Sequence, residues 1–418
     1  MACNRGSSQT PPAAGEARAA GSGGVTLTLY GNAGDTVKPY MTRIISMYEA
    51  ESGNKIDVQG LDGNNTEAIA LTKFTTGDIP DLFMHFGNYN LLNYNCDENF
   101  YDFSGAPWVS DIVDAVLPQT KVNGKIYGLP YWEASVSGVY YNKVIFDKLG
   151  ITLPATQGEF EAVCDKLLAA GVQPIYLPTT DSWCILYQYA LDPVFDSPEG
   201  EALLAKLNNN EIKYADIPQF RSMLEWFKRA ADKGYFGKTF LSDIWDYTIE
   251  VLGTGEAAMI YCWDTWFDTD YDSESYTYTK DDFGLMPAFM GTNEEGTFEG
   301  PNVSLMMVHK NSPRVAAALE FVDFMSKPAN YNRAFEGVAT NPVFKQQTTN
   351  IPSPQYQAVK DWVDRVGHAS VAQPKIIGYS QVQGGKIIQD LMGGKIGIDE
   401  CIKLLDEDRI TTLNSFLQ

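Results

Sequence analysis

The sequence predicts an α/β protein of two lobes, each a mostly parallel sheet flanked by helices. Its 418 residues, 44% of them hydrophobic, exceed what one core usually holds. Near the start, strand and helix patterns alternate, which indicates parallel strands. A stretch rich in β-branched and aromatic residues at 136–141 lies about a third of the way along the chain, and we expect it to cross between the lobes.

The first lobe begins with a predicted strand at 25–30 and an amphipathic helix that ends at Gly53. Strands at 55–59 and 81–86 enclose a second helix at 66–76. Ligands of such sheets bind beyond the carboxyl ends of the strands. Five side chains near those ends are therefore candidate ligand contacts: Asn32, Asp35, His85, Asn88 and Tyr89.

The second lobe shows the same alternation after the predicted crossing. Thr156 can cap a helix, with Glu159 as its reciprocal partner. Short strands are predicted at 174–177 and 257–262. Aromatic and acidic residues follow these strands and the Gly-Leu-Pro turn at 128–130: Trp132, Glu133, Asp181, Trp183, Trp263, Asp264 and Trp266.

These residue types suit a sugar ligand. The C–H faces of a sugar ring pack on aromatic faces, and its hydroxyl groups need short polar partners such as Asp, Glu and Asn. Trp132 stands beside Glu133, and Trp263 stands beside Asp264, so each pair supplies both kinds of contact. The same carboxylates, Glu133 and Asp264, would be the acid pair of a secreted glycoside hydrolase, which we keep as the alternative class.

Net charge and the spacing of motifs argue against several other functions. The net charge of −22 argues against binding to nucleic acid, which needs clustered Lys and Arg. The GTGEAA sequence at 253–258 precedes a predicted strand, which is the wrong context for a dinucleotide site. The three histidines lack metal-ligand spacing, and the acidic loop at 268–282 lacks the glycine and glutamate of a calcium loop. The sequence therefore predicts no cofactor and no metal.

The first 24 residues differ from the rest. Cys3 is followed by a run rich in Gly, Ser, Ala and Pro, a composition that does not form a core. We expect residues 1–24 to be a disordered tether and Cys3 to carry a lipid anchor, as in a bacterial lipoprotein. No apolar run reaches the ~18 residues of a membrane-spanning helix, so this anchor is the predicted membrane attachment.

Several motifs carry a family resemblance. The stretch GLPYWEASVSGVYYNKVIFDKLG, with TTGDIPDLFMHFGN, GTGEAAMIYCWDTW and KNSPRVAAALEFVDFMSKPANYNRAFEGVATNPV, resembles bacterial extracellular solute-binding proteins of the sugar-transporter type, the maltose-binding class. The resemblance covers nearly all of 25–418. It implies a two-lobe periplasmic-binding-protein-like fold of class II with a multi-strand hinge. By resemblance, residues 25–135 and 283–333 form the first lobe, and 136–282 with 334–418 form the second.

The resemblance also implies function. It indicates a monomeric binding protein without enzymatic activity that captures an oligosaccharide between its lobes and delivers it to the permease subunits of an ABC importer. The protein would lie on the outer face of the cytoplasmic membrane, in a Gram-positive bacterium. An α-glucan oligosaccharide is the first expectation; mannan, xylan or galactoside oligosaccharides and a non-sugar solute stay open. Asn302 and Tyr379 complete the predicted ligand contacts.

Overall fold

The computed structural model describes residues 24–131, 134–269, 271, 275–366, 368–369 and 372–416. In chain order the strands are β1 (Thr26–Asn32), β2 (Lys55–Leu61), β3 (Leu82–Phe86), β4 (Lys121–Val122), β5 (Lys125–Ile126), β6 (Gly128–Pro130), β7 (Ser135–Asn142), β8 (Gln173–Tyr176), β9 (Ala257–Trp263), β10 (Phe283–Met286), β11 (Phe298–Asn302), β12 (Ser304–Val308) and β13 (His368–Ala369).

The helices are α1 (Ala33–Thr36), α2 (Pro39–Ser52), α3 (Thr66–Thr75), α4 (Cys96–Asn99), α5 (Lys143–Leu149), α6 (Gln157–Ala169), α7 (Gln188–Phe195), α8 (Pro198–Asn208), α9 (Pro218–Lys233), α10 (Thr248–Thr254), α11 (Asp264–Thr269), α12 (Val315–Ser326), α13 (Pro328–Phe335), α14 (Pro354–Val366), α15 (Gln381–Met392) and α16 (Ile398–Phe416). Among the residues described, no helix combines the length and apolar character needed to cross a membrane.

Two larger sheets define the two lobes. The first has the strand order β2-β1-β3-β12-β6, and the second has the order β13-β11-β7-β9-β8 with β10 also paired to β7. In each sheet one strand runs against the others: β12 in the first and β7 in the second. Apolar clusters cover both faces of each sheet, as parallel α/β sheets require. The predicted two-lobe α/β fold is therefore confirmed.

The strands β7 and β12 are also the first strands that the chain forms after crossing from one lobe to the other. β6 and β7 are consecutive in the chain and lie in different sheets, and the chain returns from β11 to β12 through Val303. The two connections between the lobes lie side by side. Asn302 is opposite Ser135, and the Tyr131 amide donates to the Ser304 carbonyl at 3.0 Å. We call these paired segments, 128–131 with 134–142 and 298–308, the hinge.

The chain changes lobes at positions that differ from the predicted ones. Residues 283–302 lie in the second sheet, because β10 and β11 both pair with β7. Val338, Val343 and Phe344 pack in an apolar cluster of the first lobe, with Phe344 opposite Ile112. The middle segment of the first lobe thus starts near 303 instead of 283 and continues well past 333. A strand pattern shows that a strand exists and does not show which sheet it joins.

Candidate functional site

At the first-lobe edge, Asn32 and Asp35 lie where β1 ends. The Asn32 Oδ1 accepts from the Gly34 amide at 2.8 Å, and its Nδ2 donates to the Thr66 hydroxyl at 3.3 Å. Asn32 thereby caps the short helix α1, which contains Asp35, and ties it to the start of α3. The predicted polar residues are at the expected edge, and the Asn32 amide is already engaged in holding the local backbone.

His85 lies at the end of β3 among aromatic rings. Its ring centroid is 5.2 Å from that of Tyr94 and 5.4 Å from that of Phe83. Burial lowers the pKa of His85 to about 4, so the imidazole is neutral at pH 7. The buried Nε2 has no hydrogen-bond partner among the residues that the structure describes. His85 therefore packs as an aromatic residue, with one unused polar atom.

The loop after β3 brings the two lobes into contact. Asn88 starts the 3₁₀ segment Asn88–Tyr94 with φ of 57° and is buried, and its Nδ2 donates to the Pro118 carbonyl at 3.4 Å. The backbone of Tyr89 belongs to the same segment. This segment lies against Gln373–Lys375 of the second lobe. The first-lobe loop that the sequence selected thus faces the opposite lobe.

At the second-lobe edge, three indole rings form what we call the tryptophan cluster: Trp183, Trp245 and Trp263. The ring centroids of Trp183 and Trp245 are 5.0 Å apart. Trp245 and Trp263 lie parallel within 4° at 5.9 Å, and Trp183 is 6.4 Å from Trp263. All three are half-buried, so each keeps part of its surface open to solvent. Such a surface offers aromatic faces to a ligand.

Asp181 holds this cluster together. Its Oδ2 accepts from the Trp245 amide at 2.7 Å, which ties the loop after β8 to the 3₁₀ segment Trp245–Tyr247. Trp245 is not among the contacts predicted from sequence, because it follows no predicted strand. The available indication was the sequence Trp-Asp-Tyr at 245–247, which places two aromatic residues beside a carboxylate directly before α10.

Two residues that were predicted to contact the ligand, Trp266 and Asp264, are buried in the structure. Trp266 is 5% exposed and packs on Trp245 and Phe267 in the second-lobe core. Asp264 is fully buried; its Oδ1 accepts from the Val136 amide at 2.9 Å, and its Oδ2 accepts from Asn341 Nδ2 at 3.4 Å. The Asp264 carboxylate therefore stabilises the hinge and is not open to a ligand in this structure.

Tyr379 lies near the tryptophan cluster, two residues before Gln381, whose Nε2 donates to the Trp183 carbonyl at 2.9 Å. Burial raises the pKa of the Tyr379 phenol, and its hydroxyl donates to Gln188 Oε1 at 3.2 Å. The backbone of Asn302 ends β11 opposite Ser135, at the hinge. Trp132, Glu133 and Cys3 lie outside the described residues.

A cavity of about 550 Å³ lies away from these residues, between β10 and α14. Tyr141, Gly284 and Trp362 are among its lining residues. None of the predicted ligand contacts that the structure describes lines this cavity, so we do not include it in the candidate site. The candidate site is the surface between the two sheet edges: polar and backbone groups from the first lobe, the tryptophan cluster from the second, and the hinge at one end.

The chain belongs to the bacterial extracellular solute-binding protein family, whose model matches residues 43–361. That match covers more than half of the chain and includes parts of both lobes. Its members are binding proteins that act outside the cytoplasm.

Individual relatives are more distant. A multiple sugar-binding protein of Streptococcus mutans is 28% identical over 180 residues, which cover 42% of this chain and 42% of that protein. A melibiose/raffinose/stachyose-binding protein of Bacillus subtilis is 20% identical over 75% of this chain and 73% of its own length. A sugar transporter protein of Bacillus licheniformis, solved in complex with stachyose, has a TM-score of 0.73 at 18% identity, covering 93% of this chain and 100% of that one. At this identity the structural likeness supports the fold.

Proposed function

We propose that this protein captures an oligosaccharide between its two lobes and delivers it to the permease of an ABC importer. The observation that carries the proposal is the tryptophan cluster, which presents three partly exposed indole rings at the carboxyl ends of β8 and β9. Indole faces match the C–H faces of sugar rings, and the first-lobe loop at Asn88–Tyr94 faces this lobe. Closing of the lobes would be favoured because each contributes part of the contact.

Within this class we propose a raffinose-type galactoside oligosaccharide. Its support is the melibiose, raffinose and stachyose specificity for which the Bacillus subtilis relative is named, and the stachyose bound by the Bacillus licheniformis protein. An α-glucan such as maltotriose, the first expectation from sequence, becomes the competing ligand. Apart from Asp264 and Trp266, which are buried, the ligand contacts predicted from sequence stay predictions, and we add Trp245 to them. A lipid on Cys3 would attach the protein to the membrane. We also propose that the protein is a monomer.

We infer that the protein does not hydrolyse its ligand. A glycosidase of the kind considered above needs two carboxylates beside the bond that is cleaved. Asp264, one of the two candidates, is fully buried and accepts hydrogen bonds from the hinge. This supports a scaffolding role for Asp264.

Titration calorimetry with raffinose, stachyose, maltotriose, xylotriose and mannobiose tests the proposal. We expect saturable binding of raffinose or stachyose, with the sugar recovered unchanged afterwards. Binding of maltotriose alone would return the ligand to the α-glucans, and release of monosaccharide would identify an enzyme. If folded protein binds none of the five sugars, the oligosaccharide proposal is wrong.

A further inference from the structure

Helix α15 contains two adjacent glycines, Gly384 and Gly385, one turn after its start. Both are buried. Glycine weakens a helix relative to alanine, because its backbone loses more conformational freedom on folding. Two neighbouring glycines inside a helix of 12 residues therefore indicate that something packs too closely against this turn to leave room for side chains.

The close neighbour of Gly385 is the segment that carries Trp183. This segment is the 3₁₀ helix Ser182–Ile185, which we call the Trp183 segment. A Cβ atom on Gly385 would lie 2.1 Å from the Ser182 carbonyl oxygen. Non-bonded carbon and oxygen atoms stay roughly 3.4 Å apart, so a side chain at residue 385 would displace this main chain by about 1 Å. The missing side chain of Gly385 thus sets how closely the Trp183 segment packs on α15.

Two hydrogen bonds hold the Trp183 segment in this contact. Gln381 Nε2 donates to the Trp183 carbonyl at 2.9 Å, and the Ser182 hydroxyl donates to the Val382 carbonyl at 2.9 Å. Ser182 is buried, so water competes little for its bond. Trp183 and the residue before it are therefore both bonded to the first turn of α15.

The chain on either side of the Trp183 segment is bonded to the same helix. Before the segment, Gln389 Nε2 donates to the Thr179 carbonyl at 3.0 Å. After it, the Tyr187 hydroxyl donates at 2.9 Å to the carbonyl of Ser380, the N-cap residue of α15. The Trp183 segment is thus fixed to α15 from both ends, and the ring that it carries belongs to the tryptophan cluster.

We propose that Gln381 and Gly385 are positioning residues for the ligand, because they fix the Trp183 ring in the tryptophan cluster before a sugar arrives. An aromatic face that is already in place loses little conformational freedom on binding, so a fixed ring holds a sugar more tightly than a mobile one. The ligand in this inference is that of the proposed function. The inference deepens that function by giving α15 a part in affinity that it exerts through Trp183.

A double-mutant cycle in the full chain tests whether Gly385 acts on Trp183. Near-ultraviolet circular dichroism of the sugar-free protein reports the packing of its aromatic rings. We expect Gly385→Ala to change this spectrum in the native background and to leave it nearly unchanged in the Trp183→Ala background. The proposal is wrong if Gly385→Ala leaves the native spectrum as it is, or if it causes the same change when Trp183 is absent.

Calorimetry with raffinose on the same four proteins measures the effect on the ligand. Gly385→Ala should weaken binding roughly tenfold in the native background and about twofold or less in the Trp183→Ala background. Equal losses in the two backgrounds would contradict a role through Trp183. Gln381→Met keeps the length of the side chain and removes its donor, so it should weaken binding about threefold. It replaces Gly385→Ala in both measurements if that variant does not fold.

Gly200→Ala is the matched control. Gly200 is a buried glycine of α8, and a Cβ atom there would lie 2.5 Å from the Val194 carbonyl oxygen. It forces a main-chain shift of similar size in α7 instead of in the Trp183 segment, so it should lower stability and keep native affinity for raffinose. An equal loss of affinity in Gly200→Ala and Gly385→Ala would show a general effect of stability and overturn the proposal.

Failure of the proposed function gives a different result. If the native protein binds none of the five sugars, the oligosaccharide proposal is wrong, and the spectra of the sugar-free proteins still decide whether Gly385 fixes the Trp183 ring.

Discussion

The two sheet edges that face each other across the protein differ in what their predicted contact residues do. At the first-lobe edge, Asn32 caps α1, Asn88 stabilises a turn with positive φ, and His85 packs among aromatic rings. At the second-lobe edge, Trp183, Trp245 and Trp263 keep exposed surface, and Asp181 holds the segment that carries one of them.

This difference shows how binding can be divided between the lobes. The described side chains of the first-lobe edge mainly fix the shape of its loops, whereas the second lobe presents the apolar faces. A ligand would then obtain most of its binding energy from the second lobe. The first lobe would complete the contact when the lobes close. The following predictions test this division, from the largest expected effect to the smallest.

The largest effect concerns the hinge between the two edges. Asp264→Ala leaves the buried Val136 amide without its acceptor, so we expect the free energy of unfolding to fall by about 3 kcal/mol. Denaturant unfolding followed by circular dichroism measures this loss. Asp264→Asn keeps an acceptor oxygen for Val136 and should lose about half as much or less. Equal stability of Asp264→Ala and the native protein would show that the hinge does not need this carboxylate.

The proposed difference in ligand binding between the two lobes is tested by removing one indole ring from each lobe. Trp263→Ala should weaken binding of raffinose roughly 30-fold, about 2 kcal/mol, because it removes a partly exposed aromatic face. Trp108→Ala is the matched change in the first lobe, where Trp108 is also half-buried and packs on Phe103. Calorimetry should find little change for Trp108→Ala. Equal losses in the two variants would remove the distinction between the lobes.

His85 tests whether the first-lobe edge is a packed structure. Its pKa in the folded protein, about 4, lies below the ordinary value of 6.5, so the unfolded chain binds more protons between these values. Stability contributed by the neutral ring is present above pH 6.5 and is lost as pH falls towards 4. As pH falls from 6.5 to 4, the unfolding free energy of the native protein should therefore decrease by about 2 kcal/mol more than that of His85→Phe. A constant difference would show that His85 does not titrate abnormally.

The smallest effect is expected at Asn32. Asn32→Ala removes the acceptor for the Gly34 amide and should lower the free energy of unfolding by about 1 kcal/mol. Asn32→Asp keeps a capping oxygen and should recover most of that loss in the same denaturant measurement. If Asn32→Ala instead abolishes raffinose binding without loss of stability, the first-lobe edge contributes directly to the ligand and the division between the lobes is wrong.

Local chemistry made several elements predictable. The strand predicted at 136–141 is β7, and the capping hydrogen bond from the Glu159 amide to Thr156 forms at 3.2 Å. The Glu159 carboxylate was expected to accept from the Thr156 amide, and it accepts instead from the Ala155 amide, one residue earlier, at 2.7 Å. These features depend on neighbouring residues, so the sequence contains the information needed to predict them.

Contacts between distant residues were not predictable in this way. The Ser312 hydroxyl donates to Asp81, a buried residue 231 positions earlier that also pairs with Arg314 at 2.8 Å. Trp245 is tied to the loop that carries Trp183 by Asp181, 64 residues earlier, which accepts from the Trp245 amide. A motif shows which side chains are available and does not show which of them the packed structure uses.

The sequence by itself determined the two-lobe α/β class, the order of most helices and strands, and the sheet edges at which ligand contacts should be sought. Periodicity, capping residues and the order of motifs can be read directly from the sequence, because they do not depend on which distant segments pack together. Only the tertiary structure decided that β10 and β11 belong to the second lobe and that Asp264 is buried in the hinge. Each of these outcomes depends on which distant segments pack together, because burial and pairing are set by the folded chain as a whole.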